Sequence, residues 1–240
     1  MAMKRFAPIG ALVALTLASP AFGQAYSCAV PDSIPGGASP LAGDKRFSRQ
    51  VPIESYALAI SWSPQFCKDY GGQPGAAFQC GATNRFGFVL HGLWPDGQPG
   101  SWPQYCRPVP RVSDAVVRSQ LCNTPSADLI QHEWDKHGSC MTLSGPAEYF
   151  TKANALYGRL RYPNMDALSR RRSLTIAQFR TAFARANPGI TAAMVSVATT
   201  RSGWLQEVRL CLNTALRYRA CEGGVGPGDS RQLKIWRGRR

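Results

Sequence analysis

Apolar and polar positions divide this chain into runs of period two and runs of period nearer four, which predict strands and helices respectively. Residues 56–63 alternate and are rich in apolar side chains, so they predict a strand. Residues 86–90 are apolar and aromatic and predict a second strand, with His91 at its end. Between them, residues 64–84 are rich in Gly and Pro and read as a loop, as do residues 98–110. Residues 112–120 and 127–136 pattern as helices, the second stopped by Gly138. Ser144-Gly145-Pro146 puts proline in the first turn of a helix over 147–160. Thr175-Ile176-Ala177-Gln178 has capping-box spacing and opens a helix that ends at Asn187-Pro188-Gly189. Residues 194–200 and 204–211 predict two strands joined by Arg201-Ser202-Gly203, and residues 233–236 a last one. Strands and helices are segregated along the chain rather than alternating, which favours an α+β fold.

The two ends follow other patterns. Lys4 and Arg5 precede an apolar run over 9–18, then Pro20 and a small-x-small Ala21-Phe22-Gly23. This reads as a signal peptide, residues 1–23, cleaved near Gly23. The run is far short of the ~20 residues a membrane span needs. Residues 24–240 are then a single domain, with an irregular Pro/Gly/Ser-rich arm over 24–50 and a basic tail over 222–240. The expected location is extracytoplasmic, in the periplasm or secreted, with no stable membrane association and a monomeric state.

The net charge is +14, and removal of Lys4 and Arg5 leaves 14 − 2 = +12. Such a surface suits an anionic partner: nucleic acid, an anionic membrane or an acidic polysaccharide. A membrane-active protein would need an amphipathic basic helix, and none is convincing. Cys28, Cys67, Cys80, Cys106, Cys122, Cys140, Cys211 and Cys221 are even in number behind a signal peptide, which points to disulfides.

The chain has three histidines, all inside two motifs. His91 lies in Phe88-Val89-Leu90-His91-Gly92-Leu93-Trp94-Pro95. The other two lie in His132-Glu133-Trp134-Asp135-Lys136-His137-Gly138-Ser139-Cys140. At ~100° per residue on a helix, with His132 at zero, Lys136 falls near ~40°, Glu133 near ~100° and His137 near ~140°. One side thus presents two imidazoles, a carboxylate and an ammonium, the groups of acid–base chemistry. A zinc protease helix spells H-E-x-x-H. The extra residue here swings the second histidine ~100° further round, and Lys136 would repel a cation. No metal and no other cofactor are therefore expected.

Both motifs resemble, residue for residue, the two active-site segments of the ribonuclease T(2) family. The likeness extends to Leu58-Ala59-Ile60-Ser61-Trp62-Ser63-Pro64-Gln65-Phe66-Cys67 and to Leu205-Gln206-Glu207-Val208-Arg209-Leu210-Cys211, and covers residues 56–221. It implies a disulfide-bonded fold with a central, mainly antiparallel sheet and flanking helices. It also implies a metal-independent endoribonuclease acting on RNA. By the same resemblance His137 is the base, His91 the acid, His132 a phosphate ligand, and Glu133 and Lys136 stabilise the transition state. Trp94 and Asp96 would bind a base, with Trp102 or Tyr105 as a second wall. The resemblance pairs Cys106 with Cys140, Cys67 with Cys80 and Cys211 with Cys221, and Cys28 with Cys122 remain. An RNA-binding protein that has lost catalysis is the rival reading. The intact His91, His132, Glu133, Lys136 and His137 argue against it.

Overall fold

In this computed structural model, which describes residues 24–34, 48–222 and 226–238, the chain enters through a short strand, β1 (Ala25–Ser27). It then forms the central strand β2 (Ser55–Trp62), helices α1 (Ser63–Tyr70) and α2 (Ala77–Cys80), strand β3 (Arg85–Phe86) and the long β4 (Phe88–Asp96). Helices α3 (Asp114–Gln120), α4 (Ala127–Lys136), α5 (Pro146–Tyr157), α6 (Met165–Ser169) and α7 (Ile176–Ala186) follow, then strands β5 (Val195–Thr199) and β6 (Leu205–Asn213). The main sheet is antiparallel throughout, in the order β4-β2-β6-β5, and β1 pairs with β3 beside it. The fold is α+β, as the segregated pattern predicts. The signal peptide expected over 1–23 lies outside the described residues, as do 35–47 of the arm and 223–225 and 239–240 of the tail.

Strand β2 sets the two faces of the sheet. Leu58, Ile60 and Trp62 point one way; Leu58 faces Leu210 and Ile60 faces Val208 of β6, and Trp62 faces Phe88 of β4. They join a core with Leu90, Leu93, Phe150 and Phe183, closed by the rings of α5 and α7. Burying each such side chain stabilises the fold by roughly 1.5–3 kcal/mol before entropy is subtracted. Ala57, Ala59 and Ser61 point the other way, opposite Cys211, Arg209 and Glu207. That face carries the site.

Strand β4 is an edge strand, and its free edge is covered by side chains. Tyr149 of α5 bonds both the N–H (3.0 Å) and the carbonyl (3.1 Å) of Leu93. Tyr157 donates to the Phe88 carbonyl at 2.8 Å, and Thr124 to the Leu90 carbonyl at 2.9 Å. Covering an edge this way satisfies its backbone and blocks pairing with another chain. Pro95 is tolerated in β4 because an edge position does not require its N–H.

Three expectations need correction, and one short helix was not foreseen. Residues 64–84 are not one loop: Pro64 presets the first turn of α1, and α2 follows before the second cysteine. The arm is not wholly irregular, since Ala25–Ser27 forms β1. Asn164 caps a short helix, α6, that the pattern did not announce. Residues 233–236 make isolated bridges to Trp204 and, next door, from Gln232 to Thr175, and do not form a strand. The capping box at Thr175 and Gln178 is present, with both reciprocal hydrogen bonds. The disulfides are Cys28–Cys122, Cys67–Cys80, Cys106–Cys140 and Cys211–Cys221. Among the described residues no helix is long and apolar enough to cross a membrane.

Candidate active site

His91 does not end a strand; it sits inside one. Ile60 pairs with Leu90 and Ala59 with Gly92, so His91 is the extra residue of a β-bulge. A bulge re-aims one side chain and shifts the alternation beyond it. Here it brings His91 onto the same face as Trp94, three residues on, with ring centroids 5.0 Å apart. The period-two pattern alone would have put those two residues on opposite faces.

Helix α4 supplies the remaining groups. Ser126 caps it, accepting from the Leu129 N–H, and Trp134 anchors it in the core. His137 is its C-cap residue, with its N–H bonded to the Glu133 carbonyl at 3.0 Å. Glu133 and His137 are buried, whereas His132 and Lys136 are partly exposed. Two motif glycines allow the close approach. A Cβ on Gly92 would collide with Glu133 Oε2, and one on Gly138 with the Trp134 ring.

Glu133 is the hub. Its Oε2 accepts the Trp94 indole N–H at 2.8 Å and lies 4.0 Å from His137 Nε2. Its Oε1 lies 3.5 Å from His91 Nε2. The Trp94 ring stacks on His137 with centroids 5.4 Å apart, and the Arg209 guanidinium lies 4.9 Å from the same ring. The other nitrogen of His91, Nδ1, meets Glu207 Oε2 at 2.6 Å and Ser61 Oγ at 3.2 Å. Arg209 Nε donates to the second Glu207 oxygen at 2.7 Å. The loop before Cys106 closes the other side. Tyr105 holds φ 48°, donates its N–H to the Lys136 carbonyl at 2.9 Å and sets its hydroxyl 3.5 Å from His132 Nδ1. The Cys106–Cys140 bridge fastens this loop to the end of α4.

The electrostatics split the histidines. Burial works against charge on His91, but the Glu207 hydrogen bond and the charges of Glu133 and Glu207 outweigh it and raise its pKa. Burial, then the Lys136 charge and neighbouring histidines, push His137 down to about 2 and His132 to about 4. Burial lifts Glu133 to about 7, against the pull of His91, the Trp94 N–H and Lys136. Glu207 resists its own burial because His91 and Arg209 hold it ionised, so its pKa falls. The arrangement therefore biases His91 toward its charged form and His137 toward its neutral form, on either side of a single carboxyl group.

The structure gathers His91, His132, Glu133, Lys136, His137 and Trp94, all named from sequence. Asp96 lies at the end of β4, where burial raises its carboxyl pKa and Arg209 opposes the rise. Trp102 stands apart, 40% exposed, bonded to Gln104 with the Arg49 guanidinium over its ring. Sequence reasoning missed Glu207, Arg209 and Ser61. The sequence shows Glu207 and Arg209 as charges at alternate positions of one strand, and the register then sets them opposite Ser61 and Ala59. Among the described residues no cluster of three or more His, Cys, Asp or Glu is placed to hold a metal ion.

Comparison with known proteins bears on this site. The model of the Ribonuclease T2 family matches residues 53–221. The chain belongs to the Ribonuclease T2 family. It is 36% identical over 126 residues to a "Probable ribonuclease" of Haemophilus influenzae, covering 48% of this chain and 46% of that protein. It is 43% identical over 92 residues to a "Ribonuclease" of Aeromonas hydrophila, covering 38% and 40% respectively. The chain thus spans less than half the length of each of these relatives. Among solved structures it resembles trichomaglin, an S-like ribonuclease, with TM-score 0.58 and 19% identity over 77% of this chain and 98% of that one. At that identity the likeness concerns the fold.

Proposed function

We propose that this protein is an endoribonuclease that cleaves single-stranded RNA without a metal, by transphosphorylation. His137 accepts the proton of a ribose 2′-hydroxyl. The 2′-oxygen attacks phosphorus, forming the P–O2′ bond, and the P–O5′ bond breaks. His91 gives its proton to the departing 5′-oxygen, so the products are a 2′,3′-cyclic phosphate and a free 5′-hydroxyl. Slower attack by water on the cyclic ester, with the proton flow reversed, yields a 3′-phosphate. His132 binds the phosphate, and Lys136 and Glu133 stabilise the transition state, Lys136 by countering the charge that grows on the phosphate oxygens and Glu133 by favouring the charged form of the neighbouring imidazole.

The observation that carries this reading is the placement of His91 and His137, from two different elements, 3.5 Å and 4.0 Å from the two oxygens of Glu133. A general acid must arrive protonated and a general base neutral, and each contributes about 10²–10⁴-fold when well placed. Trp94 fits best as a support of this pair, since His137 and Arg209 already lie over its ring. The base-binding role then rests on Asp96, with Tyr105 beside His132 as a wall. The reading extends to a chain cleaved near Gly23, exported and acting as a single-domain monomer.

The deciding experiment uses an RNA oligonucleotide and its 2′-deoxy counterpart, each incubated with oxidised protein in EDTA and read by mass. RNA cut to 2′,3′-cyclic phosphate ends, with the deoxy strand intact, is the expected result. Both strands intact would overturn the proposal.

A further inference from the structure

The structure points to Glu207 as a positioning residue for His91, locked in place by Arg209. We infer that this carboxylate, from a strand two places away in the sheet, fixes the ring of the acid and keeps its proton. The inference rests on the acid role proposed above for His91.

The sheet itself makes the contact possible. Strand β2 lies between β4 and β6, and its residues on this face are Ala57, Ala59 and Ser61. Larger side chains there would wall off the two flanking strands. With small ones, Glu207, directly opposite Ser61, reaches over β2 to His91 Nδ1 at 2.6 Å. Ser61 Oγ lies beside the pair, 3.2 Å from His91 Nδ1 and 3.4 Å from Glu207 Oε2. The carboxylate is nearly buried, with its side chain 9% exposed.

The contacts close into a ring. His91 meets Glu207, Glu207 meets Arg209, Arg209 covers Trp94, Trp94 donates to Glu133, and Glu133 faces His91 again. Each member fixes the next, so the imidazole cannot rotate without breaking the Nδ1 bond. A carboxylate on Nδ1 also sets the tautomer and leaves Nε2 to deliver the proton. The charged groups facing His91 are Glu207 and Arg209 from β6, and Glu133, His132 and His137 from the α4 segment. Only the two carboxylates favour its charged form. Glu133 lies 3.5 Å from His91 and also serves His137 and the Trp94 N–H, whereas Glu207 holds His91 at 2.6 Å with one oxygen and Arg209 with the other.

The test compares the unaltered chain with Glu207→Gln and Glu207→Asp. Glutamine keeps the shape and can still accept from Arg209, but it carries no charge. The expected result is an alkaline limb of the kcat profile moved about one pH unit downward, as removal of an adjacent opposite charge requires. At a pH on that limb this is about a tenfold loss, with KM for RNA little changed. Glu207→Asp should recover part of the shift. An alkaline limb that stays in place, with activity lowered equally at every pH, would overturn the inference. If Glu207→Gln does not fold, the unaltered protein still decides. In ¹⁵N-detected NMR without substrate, His91 should titrate above the other two histidines and hold a proton on Nδ1. Titration at or below theirs, or a neutral ring with a bare Nδ1, would overturn it. Because that measurement needs no cleavage, it judges the pairing separately from the proposed reaction.

Discussion

Trp94 and Glu133 are joined by a 2.8 Å hydrogen bond from the indole N–H to Oε2, and the same tryptophan stacks on His137. One side chain of an edge strand thereby holds both Glu133 and His137, the proposed base, at the end of α4. Trp94→Phe keeps a stacking ring and removes the donor. It should lower kcat about 10- to 100-fold, because a hydrogen bond to a charged group contributes about 1.5–3 kcal/mol, with little effect on KM. Steady-state cleavage of an RNA oligonucleotide checks this. A larger effect on KM than on kcat would place Trp94 in substrate binding instead.

The two proposed proton carriers make a sharper demand. His91→Ala and His137→Ala should each reduce turnover at least about 10²-fold while the far-UV circular dichroism stays unchanged. The double variant should be scarcely worse than either single one, since the two act in one step. Retained activity in either single variant contradicts the scheme.

Gly92 marks the closest approach of the two motifs. Any Cβ there meets Glu133 Oε2, and Glu133, 1% exposed, has no room to retreat. Gly92→Ala should cost about 1–3 kcal/mol of stability, the usual penalty for overpacking, and should also displace Glu133 from His91. Urea denaturation with parallel activity assays checks both effects. A stable and fully active variant would show that the contact yields more easily than the geometry indicates.

Much of this arrangement was legible in the chain because its determinants are local. The α4 helix follows from its capping serine and its apolar spacing, and the cluster on its polar side follows from 100° per residue. The small–large alternation of β2 is also written in Tyr56-Ala57-Leu58-Ala59-Ile60-Ser61-Trp62. What was not legible depends on register. A bulge at His91 is a fact about pairing between β2 and β4, and no property of residues 88–96 alone announces it. Glu207 and Arg209 lie more than a hundred residues from His91, and only the strand order β4-β2-β6 brings them to it. Trp102, named from the sequence as a binding wall, is also placed by its loop, which leaves it 40% exposed with the Arg49 guanidinium over its ring.

The pKa pattern predicts the shape of the pH profile. His137 must be neutral to accept a proton, and its depressed pKa keeps it neutral well below the ordinary histidine value of about 6.5. His91 must be charged to donate one, and its raised pKa keeps it charged above that value. Activity in EDTA should therefore be a broad plateau that spans the ordinary histidine range and falls on either side of it. Stability adds to the acid side with a definite sign. His132 and His137 titrate lower when folded, so their contribution is complete above about 6.5 and is lost as pH falls. Glu133 acts the other way, its contribution being present below the ordinary carboxyl value and lost as pH rises through about 7. Initial rates and thermal melts from about pH 3 to 9 separate the two effects. A narrow optimum centred on the ordinary histidine value would contradict the split.

The Cys106–Cys140 bridge offers a last test, of how far the site depends on a loop outside both motifs. Its 34-residue separation gives a chain-entropy contribution of roughly 3–4 kcal/mol, so Cys106→Ser with Cys140→Ser should lower the melting temperature. The loss of activity should exceed what unfolding explains. Tyr105, the residue before the bridge, holds a strained positive φ, and its N–H bonds the Lys136 carbonyl. The bridge keeps that residue over His132 against its own backbone preference. Once it is released, Tyr105 should relax, leaving His132 and the end of α4 less ordered. Well below the melting temperature, where both forms are folded, KM for RNA should rise several-fold while His91 and His137 keep their titrations. Equal KM in the two forms would mean that the bridge serves the stability of the fold alone.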